Sequence, residues 1–331
     1  MPGEYRKTEL INGVVVTTHV VDDSHDGWRA DNYLRTQYKY FSRNRLQNLI
    51  DDGRIVMPNK RLKAATTLHS GDLIRVITEE TSEPCVDAKY KIIYEDAYLI
   101  VIDKPGNLPV HPAGKFLFNT LLMALRKDRV EWLTKGHDFF LIHRLDRETS
   151  GVILLAKTRE MAGMLVKEFR ERRTDKRYWA VTSGHCKEES FSVDADIGSA
   201  KNSPIRLKMA AFPKGQGELA SLTHFKVLRR GNGVDLVDCK LMTGRQHQIR
   251  VNLAYAGVPI VGDKLYGKHA EDGEIFLNHI YGQDLSGEQR CQLVLERHAL
   301  HSRYLKFFHS PLNKWVEVES PLPKDMEHLL L

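Results

Sequence analysis

Residues 141–156 read Leu141-Ile142-His143-Arg144-Leu145-Asp146-Arg147-Glu148-Thr149-Ser150-Gly151-Val152-Ile153-Leu154-Leu155-Ala156. The second part is a continuous apolar run, short enough for a buried strand and bounded by a polar segment with glycine. The first part places a carboxylate, Asp146, between Arg144 and Arg147 at the mouth of that strand. Flanking cations favour the ionised acid, and an ionised carboxylate at a strand mouth can act as nucleophile or base. A structural salt-bridge loop is the competing reading of the same cluster.

Outward from this stretch, strand-like segments outnumber helical ones. IIYEDAYLIVIDKP reads as two strands around an acidic turn, and RYWAVTSG, THFKVLRR, VDLVDCKLM and Trp315–Val318 as further strands. Helices are expected over Asn119–Arg126, over Thr158–Arg173 with Met161, Met164, Leu165 and Phe169 on one side, and over HQIRVNLAYAG, stopped by Gly257. Few βαβ alternations appear. The expectation is an α+β fold with a mixed, mainly antiparallel sheet and flanking helices.

Two other segments carry special residues. In Lys176-Arg177-Tyr178-Trp179-Ala180-Val181, strand alternation sends Tyr178 and Trp179 to opposite faces, one toward the core and one toward a cleft where a base could stack. Two core aromatics would satisfy the same pattern. In Thr243-Gly244-Arg245-Gln246-His247-Gln248-Ile249-Arg250, Gly244 allows a tight turn and Arg245 stands at a helix entrance, its guanidinium suited to pairing with a carboxylate such as Asp146. His247 reads as a helix-start hydrogen-bonding residue, since a metal role lacks a spaced second ligand.

The chain has 331 residues, enough for two domains, with 42% hydrophobic and 28% charged residues, an ordinary globular composition. Its net charge is +6, and the segment Trp28–Ile77 alone, with ten Lys/Arg against four Asp, carries the same +6. A basic end on a nearly neutral body points to a polyanionic partner. In that segment Ser42 is a plausible N-cap, Leu46, Leu49 and Ile50 form an apolar stripe, and Arg43 and Arg45 occupy the opposite face. Short β segments follow, then the polar stretch TEETSEPCVDAK, which reads as a linker. Cys85, Cys186, Cys239 and Cys291 form no CxxC pair, which fits a reducing compartment rather than a zinc site or disulfide framework. No apolar run approaches the ~18 residues of a membrane span, and the N-terminus has no signal-like core. A cytoplasmic monomer that does not meet a membrane is expected.

Together these segments resemble the pseudouridine synthases that act on ribosomal and other structured RNA, a family with an HRLD-x-x-TSG motif. The resemblance runs through nearly all of Tyr90–Leu331, by way of IIYEDAYLIVIDKPGNLPVHPAG, IHRLDRETSGVILLAKT, KRYWAV, TGRQHQIRVNLAYAGVPIVGDKLYG and RHALHSRYLKFFHSP in the family's order. SRNRLQNLIDDGRIVMPNK and SGDLIRVI are similar to the ribosomal-protein-S-four-like RNA-binding module of many members. Trp179 and Asn252 depart from commoner choices, and Gly267–Arg297 looks like an insertion.

The resemblance implies an RNA-binding module over residues 1–85 and a catalytic domain over 86–331. It implies Asp146 as catalytic nucleophile, Tyr178 stacking on the flipped uracil and assisting deprotonation at carbon 5, and Arg245 paired with Asp146. Arg144 would help displace the nucleotide, and Leu300 would form an apolar wall near the base. Isomerising uridine imports no group and oxidises nothing, so neither cofactor nor metal is expected. Flipping a base out of structured RNA costs a few kcal/mol that phosphate contacts help offset; Arg43, Arg45, Lys60 and Arg61 could supply them. Large-subunit ribosomal RNA is the favoured partner, with transfer RNA as the alternative. Two other readings are a non-catalytic RNA-binding assembly factor, which has no need of Asp146, and a carboxylate-based hydrolase, which needs a second carboxylate to activate water.

Overall fold

The computed structural model describes the chain except residues 1–5, 12–13, 39–40, 79–83, 85, 113–115, 117–118, 269–274, 277–285 and 288–292. Most of the expected linker and insertion, with Cys85 and Cys291, lies outside the described residues. The chain divides into two compact units, one of Met1–Cys85, His111–Asn119 and Lys127–Gly136, the other of Val86–Val110, Thr120–Arg126 and His137–Leu331.

In the first unit, strands β1 (Arg6–Ile11), β2 (Val14–Val20), β3 (Ile55–Val56) and β4 (Leu73–Thr78) form an antiparallel sheet in the order β1-β2-β4-β3. Helices α1 (Ala30–Gln37) and α2 (Arg43–Asp51) bury Leu34, Leu46, Leu49 and Ile50 in a core with Ile55, Leu68 and Ile74. The Ser42 hydroxyl caps α2 by accepting from the Arg45 N–H at 3.2 Å, and Gly53 leaves it at φ 70°. The cap and apolar stripe read from the sequence are therefore met.

The second unit is built on one large sheet. Its strands are β5 (Lys91–Glu95), β6 (Leu99–Lys104), β7 (Phe140–Leu141), β8 (Ser150–Ala156), β9 (Asp175–Ser183), β10 (Ser190–Ser199), β11 (Met209–Phe212), β12 (Leu219–Arg230), β13 (Val234–Leu241), β14 (Leu300–His309) and β15 (Lys314–Glu319). The order is β11-β10-β12-β13-β9-β14-β8-β6-β5, with β15 on β14 and β7 on β8. Every pairing is antiparallel except the short β8–β14 junction. This is the mixed, mainly antiparallel sheet expected.

All seven residues of β8 are buried, as a continuous apolar run demands. After the short helices α3 (Leu121–Asp128) and α4 (Val130–Thr134), helix α5 (Arg159–Arg170) is capped by the Thr158 hydroxyl and packs Met161 and Leu165 against that sheet. β10 went unread in the sequence because Asp194 and Asp196, a residue type depleted in strands, alternate with its buried Val193, Ala195 and Ile197; Asp196 uses its carboxylate to accept the N–H groups of Gly215 and Gly217 at 2.7 and 3.1 Å.

The β8–β14 junction explains the TSG of the opening stretch. Gly151 pairs with Ser302 and has φ 103°, and a Cβ there would collide with the Ser302 carbonyl. Gly151→Ala is expected to destabilise the protein by at least ~3 kcal/mol, read as a fall in the urea midpoint at constant slope. An unshifted midpoint would mean that the strands do not approach this closely.

Candidate active site

Asp146 lies at the mouth of β8 with 20% of its side chain accessible, enough to be reached from outside. The expected arginine partner is not the one observed. Arg245 sends its Nε to the Ala220 carbonyl at 3.0 Å, while its own N–H is held by the Gln248 side chain at 2.9 Å. Arg250 donates from Nη1 to Asp146 Oδ2 at 2.8 Å instead. The reason is helical geometry. Helix α6 (Gln248–Tyr255) is buried on nearly every side from Gln248 to Leu253, so an arginine between Ile249 and Val251 must meet a carboxylate inside, whereas Arg245 lies in the turn before the helix. That helix-interior cation was the readable signal.

Arg250 is shared. Its Nε and Nη2 donate to Asp263 Oδ2 and Oδ1 at 2.7 and 2.9 Å, and its guanidinium lies 5.0 Å from the Tyr266 ring centre. Burial by itself would raise the pKa of Asp146, but His247 and Arg250 more than reverse this and hold the carboxyl well below the usual range. His247 Nε2 stands 3.8 Å from Asp146 Oδ1. Burial pushes that imidazole down to about 4, so at neutral pH it is uncharged and Arg250 carries the stabilising charge. The His247 Nδ1 meets the Tyr266 hydroxyl at 2.7 Å, and that hydroxyl already accepts from the Met209 N–H at 2.9 Å. With the hydroxyl proton turned to Nδ1, the imidazole keeps its own proton on Nε2, facing Asp146. His247 adopts a left-handed backbone at φ 55°, a costly conformation for a residue with a Cβ.

Tyr178, on β9, is buried and close enough that the Asp146 charge bears on its phenol. Burial pushes that phenol up to about 12, with a hydrogen bond to Ser302 in partial opposition, so it is neutral at physiological pH. Trp179, one position on, instead stacks near His301 with its ring centre 6.1 Å away and lies 5.1 Å from the Arg303 guanidinium. Leu300 is buried at the head of β14, opposite Ala180 of β9. Arg144 is exposed, and its charge bears on His247. The fold thus brings Asp146, Tyr178 and the His247–Arg250 segment together, and leaves Arg245 bonded to the Ala220 carbonyl of β12.

Other groups around the loop were not singled out in the sequence. His143 of the HRLD string accepts the Leu154 N–H at 3.0 Å and stacks on Phe169, a structural task. Lys104, fully buried at the end of β6, donates to the carbonyls of Pro105, Leu108 and Arg147 at 2.8, 2.9 and 3.0 Å; burial pulls it down to about 7. Glu148 accepts from Lys264 at 3.0 Å and from the His298 N–H at 2.9 Å. Among the described residues no group of three or more His, Cys, Asp or Glu is placed to hold a metal ion.

In the first unit a groove of about 820 Å³ is lined by Arg29, Asp31, Arg43, Lys60, Arg61 and Lys63, among others. Asp31 is bonded by both Arg29 and Arg43, and Lys60 by Asp72, at 2.8–2.9 Å for the shortest contacts. Of the four cations expected to meet RNA, Arg43, Lys60 and Arg61 therefore line the groove, while Arg45 is exposed elsewhere on α2.

Comparison with known proteins agrees with this architecture. Residues 98–255 match the family described as RNA pseudouridylate synthase. The chain is 31% identical over 326 residues to a ribosomal large subunit pseudouridine synthase C of Vibrio parahaemolyticus, covering 94% of each. It is 33% identical over 307 residues to a ribosomal large subunit pseudouridine synthase D of Pseudomonas aeruginosa, covering 92% of this chain and 91% of the relative. The structure of human RNA Pseudouridylate Synthase Domain Containing 1 superposes with a TM-score of 0.56 at 28% identity, over 72% of this chain and 86% of that one. The mixed, mainly antiparallel sheet is accordingly that of a pseudouridine synthase domain, the architecture of an isomerase acting on RNA. The chain belongs to the RNA pseudouridine synthase family, enzymes that convert uridine in RNA to pseudouridine.

Proposed function

We propose that this enzyme isomerises a uridine of large-subunit ribosomal RNA, in the cytoplasm, with Asp146 as the group that starts cleavage of the glycosidic bond. The observation that carries this reading is the state of that carboxylate. Oδ2 is held by a buried arginine, the acid is kept ionised, and Oδ1 accepts no hydrogen bond among the described residues. An oxygen so prepared can attack carbon 1 of the sugar or take a proton from it. Tyr178 offers an aromatic ring for the extruded uracil, Leu300 an apolar wall, and exposed Arg144 a group to fill the vacated stack. Arg245 is left free of Asp146 to meet the RNA backbone.

The names of the relatives support ribosomal over transfer RNA. The assembly-factor reading is disfavoured by an acid kept charged at the cost of burial. The test is deletion of the gene in its host with pseudouridines mapped across all RNAs. Loss at one or more large-subunit positions, restored by the wild-type gene, is expected; loss confined to transfer RNA would overturn the substrate.

Phosphate contacts by the first unit predict a salt effect. Arg43→Ala with Arg61→Ala is expected to flatten the dependence of log affinity on log salt by roughly 1–2, at about 0.7–0.9 per phosphate contact. Filter binding from 50 to 200 mM salt reads the slope, and an unchanged slope would remove these two cations from the interface.

A further inference from the structure

We infer that the turn Asp263–Lys264, within the VGDKLYG segment, is a two-pronged positioning element that holds the catalytic loop at Asp146 and at Glu148. The inference rests on Asp146 being the reacting carboxylate. Asp263 is fully buried and its carboxylate accepts four donors: Nε and Nη2 of Arg250, and the N–H groups of Leu265 and Tyr266 at 2.9 and 3.1 Å. Two of the three guanidinium nitrogens of Arg250 are thereby fixed, and the third, Nη1, is aimed at Asp146. The next residue, Lys264, is equally buried and turns its Nζ to Glu148 Oε1 at 3.0 Å and to the Glu296 carbonyl. The other oxygen of Glu148 takes the His298 N–H.

Consecutive residues of one turn thus grip positions 146 and 148 of one loop. The turn itself is pressed against the chain before β14, because a Cβ on Gly262, at φ 74°, would collide with the Arg297 carbonyl. A buried ion pair is a poor source of net stability but a strict geometric constraint. Its use here is to keep the free oxygen of Asp146 within the sub-ångström tolerance that attack on a sugar carbon requires. Besides Arg250, the groups facing Asp146 are His247, His298, Tyr178, Tyr266 and Lys104.

The test uses the full chain and a large-subunit ribosomal RNA transcript carrying uridine tritiated at carbon 5, with tritium release followed in single turnover. Asp263→Asn is expected to lower the maximal rate about 10–100-fold with the half-saturating RNA concentration within about threefold. The acid limb of its pH–rate profile should not move upward, because the substitution removes a competing negative charge and leaves the Arg250 cation to Asp146 alone, so that the lost rate reports geometry rather than ionisation. Lys264→Met, which cuts only the Glu148 prong, should lower the maximal rate about 10-fold and leave the acid limb in place. A maximal rate per folded molecule equal to wild type in Lys264→Met, or in folded Asp263→Asn, overturns the clamp. Should Asp263→Asn fail to fold, Lys264→Met decides. An active Asp146→Ala would instead overturn the reading beneath it, whereas an inactive Asp146→Ala beside two wild-type-like turn variants removes the clamp alone.

Discussion

Asp146→Asn is expected to reduce pseudouridine formation by ~10⁴-fold or more while the protein stays folded and binds RNA nearly as before. The amide preserves volume and can still accept from Arg250, but offers neither a nucleophile nor a base. Folding should survive because the buried cation keeps Asp263 as its bidentate partner, so no charge is stranded. The pH dependence has a definite sign. The folded pKa of Asp146 lies below the ordinary value of ~3.9, so its pairing contributes stability above that pH and loses it as pH falls further. The stability gap between wild type and Asp146→Asn should therefore narrow below pH ~4. Tritium release and urea denaturation at several pH values measure both, and turnover by the purified variant would end the assignment.

Arg250→Met should be worse for the fold and comparably bad for activity. It strips the guanidinium from two carboxylates at once, leaving Asp146 and the fully buried Asp263 without their shared cation and Asp263 with only the N–H groups of Leu265 and Tyr266. Breaking a buried pair from one side costs about 3–5 kcal/mol. Any residual activity should show an acid limb displaced upward, since burial is then unopposed in raising the Asp146 pKa. Arg245→Ala is the informative contrast. It loses a bond to the Ala220 carbonyl at a partly exposed position, worth about 0.5–1.5 kcal/mol, and leaves Asp146 paired. Equal loss of stability and activity in the two variants would restore Arg245 as the partner of Asp146.

The mistaken arginine marks the boundary of what a chain can say unaided. His143–Gly151 next to an apolar run announced a loop at a strand mouth, because local polarity and burial are written residue by residue. The amphipathic helix after Thr158 and the capped helix after Ser42 were legible for the same reason, each with its periodicity and its cap within a dozen residues. Strand β10 alternates Phe191, Val193, Ala195 and Ile197 with polar residues but escaped notice, because its polar positions hold Asp194 and Asp196, a residue type depleted in strands. The order of five motifs added the family and its sheet.

Partnership across the fold was not legible. Asp146 and Arg250 are 104 positions apart, and Glu148 and Lys264 are 116. Two arginines five residues apart in TGRQHQIR carry the same charge and the same fork, and composition cannot rank them. The ranking came from which one faces inward once α6 is laid on the sheet. Local sequence determined that this protein would offer an ionised aspartate at the lip of a buried strand. Only the tertiary packing decided which cation would hold it there, because a charge withdrawn from water must be met by whatever side chain the fold delivers to it.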